Sequence, residues 1–211
     1  MKKLPIPDFD RSVVRILSSR LSNVEVAQKL WKRNDGRYKR FKNDLTTSLK
    51  GLQSNRCAYC GTRLHEKRPH RDHVAPKSPH FKWTYWPANL VLACYCCNVD
   101  CKGEEDTVEH CANSYRRSKF NIVHPYLDDP ADHLDFSISG DGVLVAVKNG
   151  SVKGDRSITL FKLMEPERVK ERAKDLLVDN DVDHLHGLTR DMMLTALAGL
   201  QGMRLVPKTG S

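Results

Sequence analysis

Apolar positions recur at helical spacing in two stretches near the start of the chain. Residues 11–21 predict a short helix. Residues 41–53 predict another, with Phe41, Leu45, Leu49 and Leu52 on one face. Ahead of both, Pro5 and Pro7 keep residues 1–10 as an extended leader. The apolar run that follows Asn89 predicts a short strand. Residues 103–120 predict a largely helical segment, broken by His124, Pro125 and Tyr126, and LDDPAD is turn-like. Phe136 to Ser139 and Val143 to Val147 predict two strands of a hairpin, joined around Gly140 and Gly142. Residues 157–163 predict an additional short strand. Pro166 suits a helix start, so residues 165–178 predict an amphipathic helix, and residues 188–200 a last, inward-packing one. The chain has no repeat and no low-complexity tract.

The 211 residues suffice for one compact domain with a real core, or for a small domain with helical flanks. No apolar run is long enough for a membrane span. The opening MKKLPIPDF is basic but lacks the apolar stretch of a signal peptide, so a cytoplasmic protein is expected.

Charge divides the chain. Residues 1–102 carry 21 Lys plus Arg against 8 Asp plus Glu, and residues 103–211 carry 14 against 18. The basic half attracts a phosphate backbone; the acidic half points to a scaffold or a partner surface. Within the basic half, WKRNDGRYKR includes Trp31 and Tyr38. Two readings stand for it: contact with nucleic acid by charge and stacking, or a solvated helix edge with one packed aromatic.

All seven cysteines fall between Cys57 and Cys111. Clustered CxxC pairs in a reducing compartment suggest metal rather than disulfides, and the odd total agrees. Cys57-Ala-Tyr-Cys60 is one knuckle. Cys94-Tyr-Cys-Cys97 repeats its spacing after 33 intervening residues. Four thiolates from two such pairs make a closed, structural Zn2+ site. Cys96 and Cys101 compete for places in the second pair, and Cys111 suits a buried, small apolar role.

Between the knuckles lie HRDHVAPKS and PANLVLACYCCN. In this order the chain resembles the HNH endonuclease family: CxxC, then DH with a proline three residues on, then NL, then CxxC followed by His or Asn. The resemblance implies an α+β fold, with a zinc-stapled ββα-metal core at residues 55–122. A basic, mainly helical flank at 1–54 and an α/β extension at 123–211 for scaffold or partner binding complete it. It also implies roles. His73 is the general base, and Asp72 and Asn98 hold a catalytic Mg2+ or Mn2+. Asn89 orients the base by hydrogen bonding. His70, Arg71, Lys77 and Lys102 are placed near phosphate. Lys102 stands one residue later than the family's helix lysine. The chemistry needs such groups: an imidazole titrates near neutrality, and a divalent ion on oxygen ligands steadies the leaving oxygen. On a regular strand Asp72 and His73 would point to opposite faces.

A wider likeness runs through MKKLPIP, CAYCGTRL, NIVHPYLDDPADHLDFSISGDG and ITLFKL. These segments resemble the HNH nucleases of retron and Septu antiphage systems. That resemblance implies a defence role beside an ABC or SMC-like ATPase partner. DNA is the expected substrate, nicked by one site or cut on both strands by a homodimer. RNA, including transfer RNA, is the alternative polymer. A non-catalytic zinc module that binds nucleic acid, or one serving protein interaction alone, is the alternative class. For His124, Pro125, Asp128 and Asp129 two readings stand: residues near the active site that touch metal or substrate, or a turn shaped by proline and capped by aspartate.

Overall fold

The computed structural model describes residues 3–64, 69–136 and 143–184. The helix expected at 188–200 and the turn at Gly140 and Gly142 lie outside the described residues. Three helices open the chain: α1 (Arg11–Ser18), α2 (Val24–Lys32) and α3 (Gly36–Leu52). Asp10 caps α1 by accepting from the Ser12 N–H at 2.7 Å, and Asn23 caps α2 through the Val26 N–H at 2.9 Å. Each such cap is worth roughly 0.5–2 kcal/mol. The sequence reading missed α2 and began α3 five residues late. Lys42 of α3 joins the two helices, its ammonium donating to the carbonyls of Trp31 and Arg33 at the end of α2. A cation there also answers the negative end of the helix dipole.

The apolar face of α3 packs on the central hairpin. Strand β1 (His70–His73) pairs antiparallel with β2 (Leu90–Ala93), His70 opposite Ala93 and His73 opposite Leu90. Phe41, Leu45 and Leu49 of α3 are buried with all four residues of β2. Each large apolar side chain so buried contributes about 1.5–3 kcal/mol. Two strands leave a raw outer edge, and the buried Gln53 amide covers it. Its carbonyl accepts from the Leu92 N–H and its NH2 donates to the Leu92 carbonyl, both at 2.8 Å.

After β2 the chain turns into a π-helical segment, Cys96–Lys102, giving strand–strand–helix order. Gly103 ends it with φ +51°, a conformation suited to glycine. The expected helix over 103–120 is corrected to β3 (Val108–His110) and β4 (Lys119–Phe120), an antiparallel pair. Buried Thr107 explains the extension: its hydroxyl donates to the Val74 carbonyl, and its own carbonyl receives the Asn121 N–H at 2.9 Å.

Next come α4 (Pro130–His133), β5 (Leu134–Asp135), β6 (Ala146–Val147), α5 (Val152–Leu160) and α6 (Pro166–His184). The hairpin pairs Leu134 with Val147 and Asp135 with Ala146, two residues before the expected first strand. The strand expected at 157–163 is instead mostly the end of α5. Ser151 caps that helix through the Gly154 N–H at 3.1 Å, and local capping outweighs the β-branched Ile158 and Thr159. Gly154 must be glycine, because a Cβ there would run into the His133 carbonyl. Among the described residues no helix is long and apolar enough to cross a membrane.

Candidate metal centre and active site

The sulfurs of Cys57, Cys60, Cys94 and Cys97 all lie within 4.8 Å of one another. Cys60 Sγ and Cys94 Sγ are 3.8 Å apart. Tetrahedral thiolates at about 2.3 Å from Zn2+ stand about 3.8 Å apart, so donor set and spacing fit a structural metal. Cys94 and Cys97 complete the cluster; Cys96 and Cys101 lie beside it, half-buried. Cys111 is exposed, which corrects its expected buried role. Three groups around the knuckles were not foreseen. The Arg168 guanidinium of α6 lies 3.6 Å from Cys94 Sγ and 3.7 Å from Cys97 Sγ. Burial disfavours its charge, but the surrounding thiols outweigh that and hold its pKa above the ordinary value. Further along α6, Asp179 pairs with Arg56 and Arg63 of the first knuckle, and Asp175 accepts from the Arg63 N–H. Asp175 and Asp179, in the acidic half expected to supply a scaffold or partner surface, thus bind the chain's own basic knuckle.

His70 and Asp72 alternate onto one face of β1, and Asn98 and Lys102, four residues apart, project from the helix above it. Asn98 Nδ2 lies 3.1 Å from His70 Nδ1, and Lys102 Nζ lies 3.3 Å from Asp72 Oδ1. The lateness of Lys102 has a backbone cause. The Gly103 N–H bonds back five residues to the Asn98 carbonyl at 3.0 Å, a widened turn that takes up one extra residue. Lys102, expected on phosphate, is therefore buried in an ion pair with its side chain 1% exposed. Asp72 is also held by the Tyr59 hydroxyl, which donates to Oδ2 at 2.6 Å. Burial and the Asp72 charge keep that phenol protonated. Tyr59 sits between Cys57 and Cys60 and stacks on Phe161, with ring centroids 4.2 Å apart. With His70 Nδ1 accepting from Nδ2, the Asn98 amide has its Oδ1 left over; no hydrogen bond reaches that oxygen among the described residues.

His73 points elsewhere, as strand alternation requires. Its Nε2 lies 3.0 Å from the Thr84 carbonyl, which can only accept, so Nε2 carries the proton and Nδ1 the lone pair. Lys77 Nζ stands 3.5 Å from Nδ1. The Trp31 ring meets the imidazole edge-on at 4.4 Å. Burial, then the charge of Lys77, holds the imidazole well below its ordinary pKa, with the Thr84 carbonyl pulling the other way. It is therefore neutral at pH 7. Trp31 is half-buried and Tyr38 fully buried, so these aromatics are packed rather than available for stacking on bases. Arg71 is half-buried and tied to Thr46 Oγ1 at 2.9 Å.

Asn89, expected to hydrogen-bond the base, does so only indirectly. Its Oδ1 accepts from the Ala75 N–H at 2.7 Å, and its Nδ2 donates to the carbonyls of Ala75 and Trp83. It thus fixes the turn whose next carbonyl, that of Thr84, holds His73. Behind it, the Tyr115 hydroxyl donates to Asn89 Oδ1 at 3.0 Å and lies 2.7 Å from His124 Nε2. The tautomer of His124 follows from its other nitrogen, which accepts the backbone N–H of Tyr126 at 3.1 Å. His124 and Tyr115 are braces that the sequence reading did not assign. Asp128 accepts from the His124 N–H and Asp129 caps α4, so the turn-and-cap reading of that segment is the one realised.

Comparison with known proteins bears on the same stretch. Residues 57–105 match the family described as HNH endonuclease. The chain is 27% identical over 146 residues to the Septu protein PtuB of Bacillus mycoides (strain KBAB4), covering 60% of this chain and 48% of that relative. It thus spans about half the length of the relative it matches. Residues 57–105 thus carry an HNH endonuclease domain.

Proposed function

We propose that this chain is an HNH-type enzyme that hydrolyses phosphodiester bonds in DNA, with His73 as general base. The observation that carries the reading is the geometry of His73: neutral, pinned through Nε2–H to the Thr84 carbonyl, with its Nδ1 lone pair facing Lys77 Nζ at 3.5 Å. A neutral imidazole is the form that can accept the proton of an attacking water. As the water oxygen bonds phosphorus, its proton passes to Nδ1 and the bond to the leaving oxygen breaks. Lys77, beside Nδ1, suits the phosphate's negative charge. Asp72 and Asn98, with His70 against Asn98, are an oxygen-rich set that fits Mg2+ or Mn2+ in donor chemistry. Such an ion, when bound, polarises the phosphate and stabilises the leaving oxygen. The tetrathiolate cluster holds Zn2+ and serves stability alone.

The likeness to a Septu protein accords with the resemblance to the HNH nucleases of such systems; a cytoplasmic antiphage role, an ATPase partner and a homodimer able to cut both strands are proposed with it. Plasmid DNA and total RNA, incubated with the protein in Mg2+ or Mn2+ with and without the neighbouring ATPase, test the reading. Cleavage of plasmid that His73→Ala abolishes, with zinc content and melting temperature retained, is the expected result. Cleavage of RNA alone would move the substrate to RNA. Equal cleavage by His73→Ala would remove the base assignment.

A further inference from the structure

A groove of about 850 Å³ runs between the leader, α1 and the turn before Asn89. Its floor is apolar, with Phe9 and Pro87 among its lining. Trp86 stands in it 40% exposed. Among the described residues this indole makes no ring contact and no hydrogen bond through its Nε1. Four exposed cations line the same groove: Arg11, Arg15, Lys82 and Arg116. None of the four is in an ion pair or a side-chain hydrogen bond among the described residues. Asp8 is the one acidic side chain lining it. Arg11, Arg15, Lys82 and Arg116 thus bring four unmatched cations around one exposed indole.

We propose that this groove binds an unpaired nucleic-acid strand, one base stacking on Trp86 and adjacent phosphates meeting Arg11, Arg15, Lys82 and Arg116. A positively charged channel with an aromatic platform is what single-strand binding requires. An acidic peptide would satisfy the cations but leave the indole face unused. Duplex DNA would satisfy the cations but keep its bases stacked on one another. The inner wall is made by Ala88 and Tyr115, and Tyr115 holds Asn89 from behind. A strand seated there lies directly against the brace that positions His73. The inference deepens the nuclease reading: it gives the enzyme a second hold on substrate with an unpaired segment, such as a nick, flap or loop.

The test is fluorescence anisotropy on the full chain carrying His73→Ala, so that binding is read without cleavage. The probes are labelled dT15, rU15, a 15-base-pair duplex and a 15-residue poly-glutamate. Tight binding of dT15 or rU15 is expected, with the preferred one naming the polymer. Trp86→Ala should weaken it about 5- to 150-fold, the usual worth of one stacked base, and Trp86→Phe should restore most of that. Arg11→Gln with Arg15→Gln should lower the slope of log affinity against log salt by about 1.4, two phosphate contacts on a single strand. Strand binding unchanged by these variants would overturn the proposal. So would a duplex bound as tightly with Trp86→Ala silent, or poly-glutamate bound in preference to both oligonucleotides. Cleavage by the parent chain is scored separately. Binding without any cleavage removes the nuclease reading and leaves the groove; cleavage that the groove variants do not touch does the reverse.

Discussion

The hydroxyl of Tyr59, a residue inside the first cysteine knuckle, donates to Asp72 Oδ2 at 2.6 Å. The structural metal cluster and the candidate catalytic carboxylate are therefore one side chain apart. Tyr59→Phe removes the donor and keeps the ring stacked on Phe161. Partners of this kind are commonly worth 10- to 100-fold in metal affinity or activity. Cleavage by the variant is expected to need about 10- to 100-fold more Mn2+ for half-maximal rate, with zinc content unchanged. An unchanged metal requirement would show that the hydroxyl is only a core hydrogen bond.

Lys102 and Asp72 form a buried pair, and its two charges answer each other. Removing one partner of such a pair costs about 3–5 kcal/mol, because the other charge is left buried alone. Lys102→Met should lower the melting temperature accordingly. If Asp72 is a divalent-ion ligand, Mn2+ can replace the lost positive charge. Mn2+ should then raise the melting temperature of Lys102→Met more than that of the parent. Equal shifts in both proteins would count against a cation at Asp72.

How much of this was readable beforehand depends on the range of the interactions. The cysteine cluster was legible because CxxC spacing is a local constraint that one metal geometry accounts for. Strand β2 was legible because all four of its residues are apolar. The segment at 103–120 was not, because its extended path depends on Thr107 reaching Val74, 33 residues away. Helix α5 misled for the opposite reason: Ile158 and Thr159 favour strand, but the signal that decided it was the single cap at Ser151. Lys102 looked displaced because residue counting assumes an α-helical turn, and the backbone there is wider. Arg168 and Tyr115 carry no motif, and only folding brings them to Cys94 and Asn89.

Arg168 leads to a prediction about metal retention. A guanidinium beside two thiolates favours their deprotonated form, which is the form that binds metal. Arg168→Gln should release zinc to a competing chelator about 10- to 100-fold more readily. Helix α6 should stay docked, since Arg172 still donates to the carbonyls of Val143 and Leu163 and Asp179 still binds Arg56. Arg168→Lys should fall between. Release equal to the parent's, measured by a zinc-responsive dye, would make Arg168 a packing residue.

His124 governs acid stability in a direction that can be worked out. It is fully buried, and burial pushes its pKa from 6.5 down to about 3, with the Asp128 charge opposing that and Lys153 reinforcing it. The unfolded chain therefore takes up this proton near pH 6.5, while the folded chain refuses it until about pH 3. Protons bound preferentially by the unfolded state mean that stability falls as pH falls, by up to about 1.4 kcal/mol per pH unit below that point. Tyr115 and Tyr126 also touch the ring but do not change charge in this range. His124→Gln removes the titration and keeps an amide that can donate to Tyr115. The variant should be less stable than the parent at pH 7.5, and the gap should narrow as pH is lowered from 6.5 to 4. Urea melts at half-unit steps through that window measure it. Parallel stability curves for the two proteins would mean that His124 takes up its proton equally in the folded and unfolded chains.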